Sequence, residues 1–146
     1  MVWDKNTQAK LADYIEFFET LSPETIDHLD EHVTTDVNFV DPFQDVTGVE
    51  EMKFVLSKMF VDTDAAKFEV LDYAFGQKQA AYLRWDFTFR SKGKEKTWHF
   101  QGMSEVHIND EGMISKHIDH WDSASQLYEK MTGIGSMVQF LKKKVI

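Results

Sequence analysis

The feature that most limits the fold is a run of four alternating segments in the second half of the chain. Phe68 to Phe75, Ala80 to Arg90, Thr97 to Ile108 and Met113 to Asp122 set apolar side chains at every other position, the two-residue period of a half-buried strand. The connections between them are short and carry Gly76-Gln77, Gly93-Lys94 and Asn109-Asp110-Glu111-Gly112. Turns of that length leave no room for a crossover helix, so successive strands are expected to pair antiparallel, as a meander. Such a sheet has one apolar face to cover, and the cover must come from the residues before it.

Those residues read as helices. Leu11, Tyr14, Ile15, Phe18 and Leu21 recur at three- and four-residue steps, which predicts a helix over Thr7 to Thr20 with one buried stripe. Ser22-Pro23-Glu24-Thr25 offers a side-chain acceptor at N-cap and a proline at the first helical position, predicting a second helix from about Pro23 to His32. Val37 to Asp41 alternates as a short strand that stops at Pro42, which cannot donate into a ladder. Gly48 precedes a third helix, Val49 to about Phe60, with the stripe Met52, Val55, Leu56, Met59 and Phe60. After the last strand come a short helix from Ser123 to Met131 and an amphipathic tail from Ser136 to Ile146. Met137, Val138, Phe140 and Leu141 of the tail are expected to pack over the domain or a second copy, with Lys142, Lys143 and Lys144 at the negative end of the helix dipole. The order implies an α+β fold: a cone-shaped, curved antiparallel sheet with helices on its concave side and a hollow between.

One domain accounts for all 146 residues, a length at which a single core suffices. Aromatic residues make up 14%, twelve of them Phe, more ring area than a minimal core needs, which suits a lined cavity or a partner face. A formal net charge of −9 and a pI near 5.0 repel phosphate backbones and anionic surfaces, so neither nucleic acid nor a membrane is an expected partner. The absence of cysteine excludes disulfides, thiolate metal sites and a Cys nucleophile. Met1 to Tyr14 carries Asp4, Lys5, Lys10 and Asp13 without an apolar run, so no leader is read there and a cytoplasmic location is expected.

Three motifs carry chemistry. In Phe39-Val40-Asp41-Pro42-Phe43 a carboxylate at a strand end is flanked by rings, which suits a base with a raised pKa at a cavity rim. The same aspartate can instead close the turn before Pro42 by bonding its own backbone. In His117-Ile118-Asp119-His120-Trp121-Asp122, alternation puts His117, Asp119 and Trp121 on one face, a proton-handling pair beneath an indole, or else a solvated strand end. Along Tyr82 to Arg90, Arg84, Asp86, Thr88 and Arg90 share one face and Trp85, Phe87 and Phe89 the other. No ligand motif on a helix supports a metal, although His99 and His107 lie on a neighbouring strand, and no phosphate loop or dinucleotide fingerprint is present. Neither a metal nor a cofactor is expected.

With these residues in view, the chain resembles SnoaL-like members of the nuclear transport factor 2 superfamily, in element order, in Phe-x-Asp-Pro-Phe followed by Gly48, and in His-x-Asp-His-Trp-Asp leading into Leu127-Tyr128. The resemblance implies a cystatin-like roll and a hydrophobic pocket for a small molecule. Ketosteroid isomerase, of that superfamily, places its base where Asp41 stands and an oxyanion-hole tyrosine where Tyr14 is the candidate. Its second oxyanion donor, a protonated Asp, falls at about Ser104. Limonene-epoxide hydrolase, also similar, uses an Arg-x-Asp and a last-strand Asp, which carry over to Arg84, Asp86 and Asp119. Polyketide cyclase-like activity is a further implication.

Two expectations follow. The first is an isomerase, lyase or hydrolase acting on a small apolar substrate, with Asp41 as base, Asp119 or His117 as second proton carrier, and Tyr14, Phe39, Phe43, Trp85, Ser104 and Trp121 around the ligand. The second is a non-catalytic ligand-binding or dimerisation module. A homodimer is expected in either case, because a ring-rich sheet seldom leaves its convex face to water.

Overall fold

The computed structural model describes residues 3–145; Met1 and Val2 of the segment read for a leader, and Ile146 of the tail, lie outside the described residues. Helix α1, Lys5–Glu19, opens on Asp4, whose carboxylate accepts the Thr7 N–H at 2.8 Å, one of the orphan donors of a helix start. It buries Leu11, Tyr14, Phe17 and Phe18. The helix expected after Ser22 is reduced to a turn and a 3-10 helix, Ile26–Glu31. Thr25 Oγ1 takes the Ser22 N–H at 3.0 Å and its own hydroxyl donates to Ser22 O at 3.2 Å, so local side-chain bonds compete with the helical pattern there.

Strand β1, Val33–Asp41, turns at Pro42-Phe43 into β2, Gln44–Thr47, a hairpin partner absent from the sequence reading. Gly48 then takes φ 110, a conformation glycine adopts without strain, and leads into α2, Val49–Asp62. Strands β3, Thr63–Phe75, β4, Ala80–Ser91, β5, Thr97–Ile108, and β6, Ile114–Trp121, follow. Strand β3 starts five residues before Phe68, with the Thr63 hydroxyl donating to Met59 O at 2.8 Å. After β6 come the short α3, Ser123–Gln126, a 3-10 turn at Tyr128–Lys130, and α4, Ile134–Val145.

The six strands form one curved sheet in the order β2-β1-β6-β5-β4-β3. The meander from β3 to β6 is antiparallel as expected, but β1 joins β6 in parallel, so the sheet is mixed. Parallel pairing needs a long connection, and here α2 and four strands intervene. Helices α1 and α2 cover the concave face, burying Leu83, Val106 and Ile108 of the sheet with Leu11, Tyr14, Met52 and Leu56 of the helices. Lys53, its side chain 11% exposed, ties α2 to the 3-10 helix through Asp30 at 2.7 Å, with Glu50 and Asp27 at 3.3 and 3.6 Å.

The convex face carries the other set of alternating residues, among them Tyr82, Arg84, His99, Gln101, Met103 and His120, all exposed. On α4, Met137, Phe140 and Leu141 are exposed, so the tail does not lay its apolar face on the domain as one of the two expectations had it; Lys142 instead anchors it to Glu129, at 2.8 Å, and to Ser125. No helix among the described residues is long and apolar enough to cross a membrane.

Candidate functional site

A cavity of about 740 Å³ occupies the hollow between the sheet and helices α1 and α2. Its walls are mostly apolar, aliphatic side chains and rings, and some of the rings stack on one another: Phe68 on Phe87 with centroids 4.3 Å apart, Phe100 on Trp121 at 4.6 Å. Exposed Phe43, Glu51, Phe54, Lys58 and Asp62 border it on the solvent side.

The polar groups gather on the floor. Registry sets Ser104 of β5 opposite Asp119 of β6, and Val106 opposite His117. Ser104 Oγ donates to Asp119 Oδ1 at 2.5 Å, and the Trp85 indole N–H donates to Ser104 Oγ at 2.9 Å. An indole nitrogen only donates, so the serine must accept from it and spend its own proton on the carboxylate. His117 Nε2 lies 2.8 Å from the same Oδ1, and its Nδ1 lies 2.7 Å from the Tyr14 hydroxyl. Burial, and then the charge of Asp119, push the Tyr14 phenol well above its usual 10.0. The phenol therefore keeps its proton, for which Nδ1 is the acceptor at hand in this buried setting, and the Nε2 N–H then faces Asp119.

Two chains of donors, Trp85 through Ser104 and Tyr14 through His117, thus end on one carboxylate oxygen. His117 is 3% exposed, and the Asp119 side chain 18%. Both hydrogen bonds fall on Oδ1, which leaves Oδ2 to the cavity that Asp119 lines.

Asp41 also borders the cavity, but its oxygens serve the turn. Oδ1 accepts the Phe43 and Gln44 N–H groups at 2.8 and 3.1 Å, and Oδ2 accepts the Gln44 amide at 2.8 Å. Phe39, Trp85 and Trp121 line the walls, and Phe43 packs edge-on to Trp121 at the rim, centroids 5.6 Å apart. Arg84 and Asp86 fall on the convex face, where Asp86 lies 3.0 Å from the Gln101 amide and 3.2 Å from His99. The three residues carried over from the epoxide hydrolase pattern are therefore not brought together, and the sheet alternation that favoured Trp85, Phe87 and Phe89 as liners holds.

The sequence reading missed Phe18, Phe68, Phe100 and Gly102. The first three sit on the predicted inward faces and were legible by period alone. Gly102 pairs with both Trp85 and Trp121, and a Cβ there would lie 2.6 Å from the Trp85 ring. The bare glycine lets the indole lie across β5 and reach Ser104. Among the described residues no group of three or more His, Asp or Glu side chains is arranged to hold a metal ion.

Comparison with known proteins gives a match to the SnoaL-like domain over residues 14–117. No curated protein matches. Three solved structures share the fold. A SnoaL-like polyketide cyclase from Jannaschia sp. CCS1, named as putative, has a TM-score of 0.72 at 10% identity, covering 86% of this chain and 91% of that one. A limonene-epoxide-hydrolase-like epoxide hydrolase of M. tuberculosis gives 0.67 at 13%, covering 91% and 95%. A hypothetical protein with a ketosteroid isomerase-like fold from Catenulispora acidiphila DSM 44928, in complex with trimethylamine, gives 0.67 at 12%, covering 81% and 88%.

Proposed function

Since the chain belongs to the SnoaL-like domain family, we propose that it binds a small, largely apolar molecule in the cone and moves a proton on it, as an isomerase, lyase or hydrolase, with Asp119 as the base. The observation that carries this is the asymmetry of Asp119, a residue that lines the cavity: Oδ1 is fixed by Ser104 and His117, and Oδ2 has no hydrogen bond among the described residues. A carboxylate held in one orientation and facing a substrate has what general base catalysis asks of geometry. Ser104 and His117 keep it in place, and Tyr14 fixes the imidazole tautomer, as an orienting group does in a triad. The proton taken by Oδ2 returns to the substrate in an isomerisation, departs with the leaving group in an elimination, and passes from the attacking water to the oxygen whose bond breaks in a hydrolysis. Isomerase, cyclase and epoxide hydrolase names among structural relatives fit a scaffold that hosts proton chemistry, and one of them is in complex with a small molecule, trimethylamine.

This reading moves the base from Asp41, whose oxygens serve the turn, to Asp119. A chemical probe tests it without knowledge of the natural substrate: 5-nitrobenzisoxazole, a planar apolar compound, loses one C–H proton to a base and ring-opens to a coloured phenolate. The wild-type protein is expected to accelerate the ring opening, and Asp119→Asn to lower the rate by roughly 10²- to 10⁴-fold. Equal rates in the two proteins, or none above acetate in either, would leave the alternative of a binding module without turnover.

The accompanying reading is a cytoplasmic homodimer that buries the convex face. Tyr82 and Met103 are 40% and 47% exposed and supply its apolar contacts.

A further inference from the structure

The charge and the donors of the cavity select among apolar ligands. Each donor on its floor is already committed: the Trp85 N–H to Ser104, the Ser104 hydroxyl and the His117 N–H to Asp119, and the Tyr14 hydroxyl to His117. A ligand that needs to receive a hydrogen bond through a carbonyl, an epoxide oxygen or a carboxylate finds none free beside Asp119. A ligand that donates finds Oδ2. The charged lining residues are Asp41, Glu51, Asp62 and Asp119 against Lys58, and the whole chain carries −9, so the local and the global field both draw cations. The walls include Phe and Trp rings, whose faces attract a desolvated cation and offer nothing comparable to an anion.

We infer that the ligand of this site is an apolar ammonium: a protonated amine on a hydrocarbon or aryl body, its N–H on Asp119 Oδ2 and its carbon groups against the rings. The inference rests on the reading of Asp119 as the carboxylate that faces the cavity, but it does not depend on turnover. The bulk of the cavity takes the apolar body; Asp119, set among Trp85, His117 and Trp121, takes the charge. The exposed carboxylates Glu51 and Asp62 at the rim add attraction during entry, of the kind that salt screens.

The test is calorimetric titration of the full chain near neutral pH with three ligands of one shape: 1-adamantylmethylamine, 1-adamantanemethanol and adamantane-1-carboxylate. The amine should bind at least roughly tenfold tighter than the alcohol, the effect of a charge-assisted bond plus ring contacts, and the carboxylate should bind weakest. Asp119→Asn should bring the amine to the level of the alcohol, while an unchanged far-ultraviolet circular dichroism spectrum reports that the variant is folded. An alcohol or carboxylate that equals the amine in the wild-type protein would overturn the inference with no variant needed, as would an amine that does not bind. Amine preference without ring opening of the nitrobenzisoxazole keeps this inference and removes catalysis. Ring opening that depends on Asp119, with no amine preference, does the reverse.

Discussion

At the scale of residues, the site is a set of hydrogen bonds whose directions are fixed by one group that can only donate. Because the Trp85 N–H must give, Ser104 must pass its proton on, and Asp119 must receive. Ser104→Ala should therefore strand a buried indole N–H and release one side of the carboxylate, costing about 1–3 kcal/mol in a urea melt and slowing ring opening by less than Asp119→Asn does. Gly102→Ala is expected to displace the Trp85 indole, since its methyl would lie 2.6 Å from that ring; a shift in tryptophan fluorescence together with weaker ligand binding would report it, and an unchanged spectrum would contradict it. Tyr14 carries a pH dependence of definite sign. Its phenol titrates well above the usual 10.0 in the folded protein, through burial first and the Asp119 charge second. The unfolded chain thus loses this proton at a lower pH than the folded one, so the stability Tyr14 contributes is complete below pH 10 and declines as the pH rises past it. Urea melts between about pH 8 and about pH 11 should show wild-type stability falling at the alkaline end more steeply than in Tyr14→Phe.

At the scale of elements, the two-residue period was the most informative signal in the sequence. It put His117, Asp119 and Trp121 on one face of β6 and Trp85, Phe87 and Phe89 on one face of β4, and the cavity is lined by both sets. It also set Arg84 and Asp86 on the opposite face, against the residue-by-residue resemblance to epoxide hydrolases. What the period does not contain is registry. The Ser104–Asp119 contact exists because β5 and β6 pair at that position after an irregularity between His107 and Ile108, and nothing in the local sequence specifies it. The same holds for the parallel pairing of β1 with β6, which is decided by distant parts of the chain. Asp41 was ambiguous for a different reason: a strand-end aspartate before proline suits a rim base and a turn closure equally, and only the positions of the Phe43 and Gln44 N–H groups separate the two. Lys53 is an element-scale device that the helical stripe did not announce, a cation that ties α2 to Asp27 and Asp30 of the 3-10 helix, with Glu50 of its own helix beside it. Its partners are 58–91% exposed, so Lys53→Met should cost on the order of 1 kcal/mol at low salt and less at high salt.

At the scale of the whole molecule, the fold makes a hollow cone and the sequence fills its walls with rings. Helices close the concave side, and the convex side remains as a largely polar face with Tyr82 and Met103 exposed on it. Light scattering is expected to give a dimer at micromolar concentration and Tyr82→Asp or Met103→Asp a monomer; a monomeric wild-type protein would contradict that reading. The central claim, however, concerns which of two cavity carboxylates does chemistry and which holds a turn. The most direct measurement is the ring-opening rate and the urea stability of Asp41→Asn and Asp119→Asn side by side. Asp41→Asn should lose about 1 kcal/mol of stability, because the Gln44 amide loses its acceptor, while its rate stays within about twofold of the wild type. Asp119→Asn should stay folded with its rate down by roughly 10²- to 10⁴-fold. The reverse pattern, a steep loss of rate in Asp41→Asn and an unchanged rate in Asp119→Asn, would contradict the account and return the base to the end of β1.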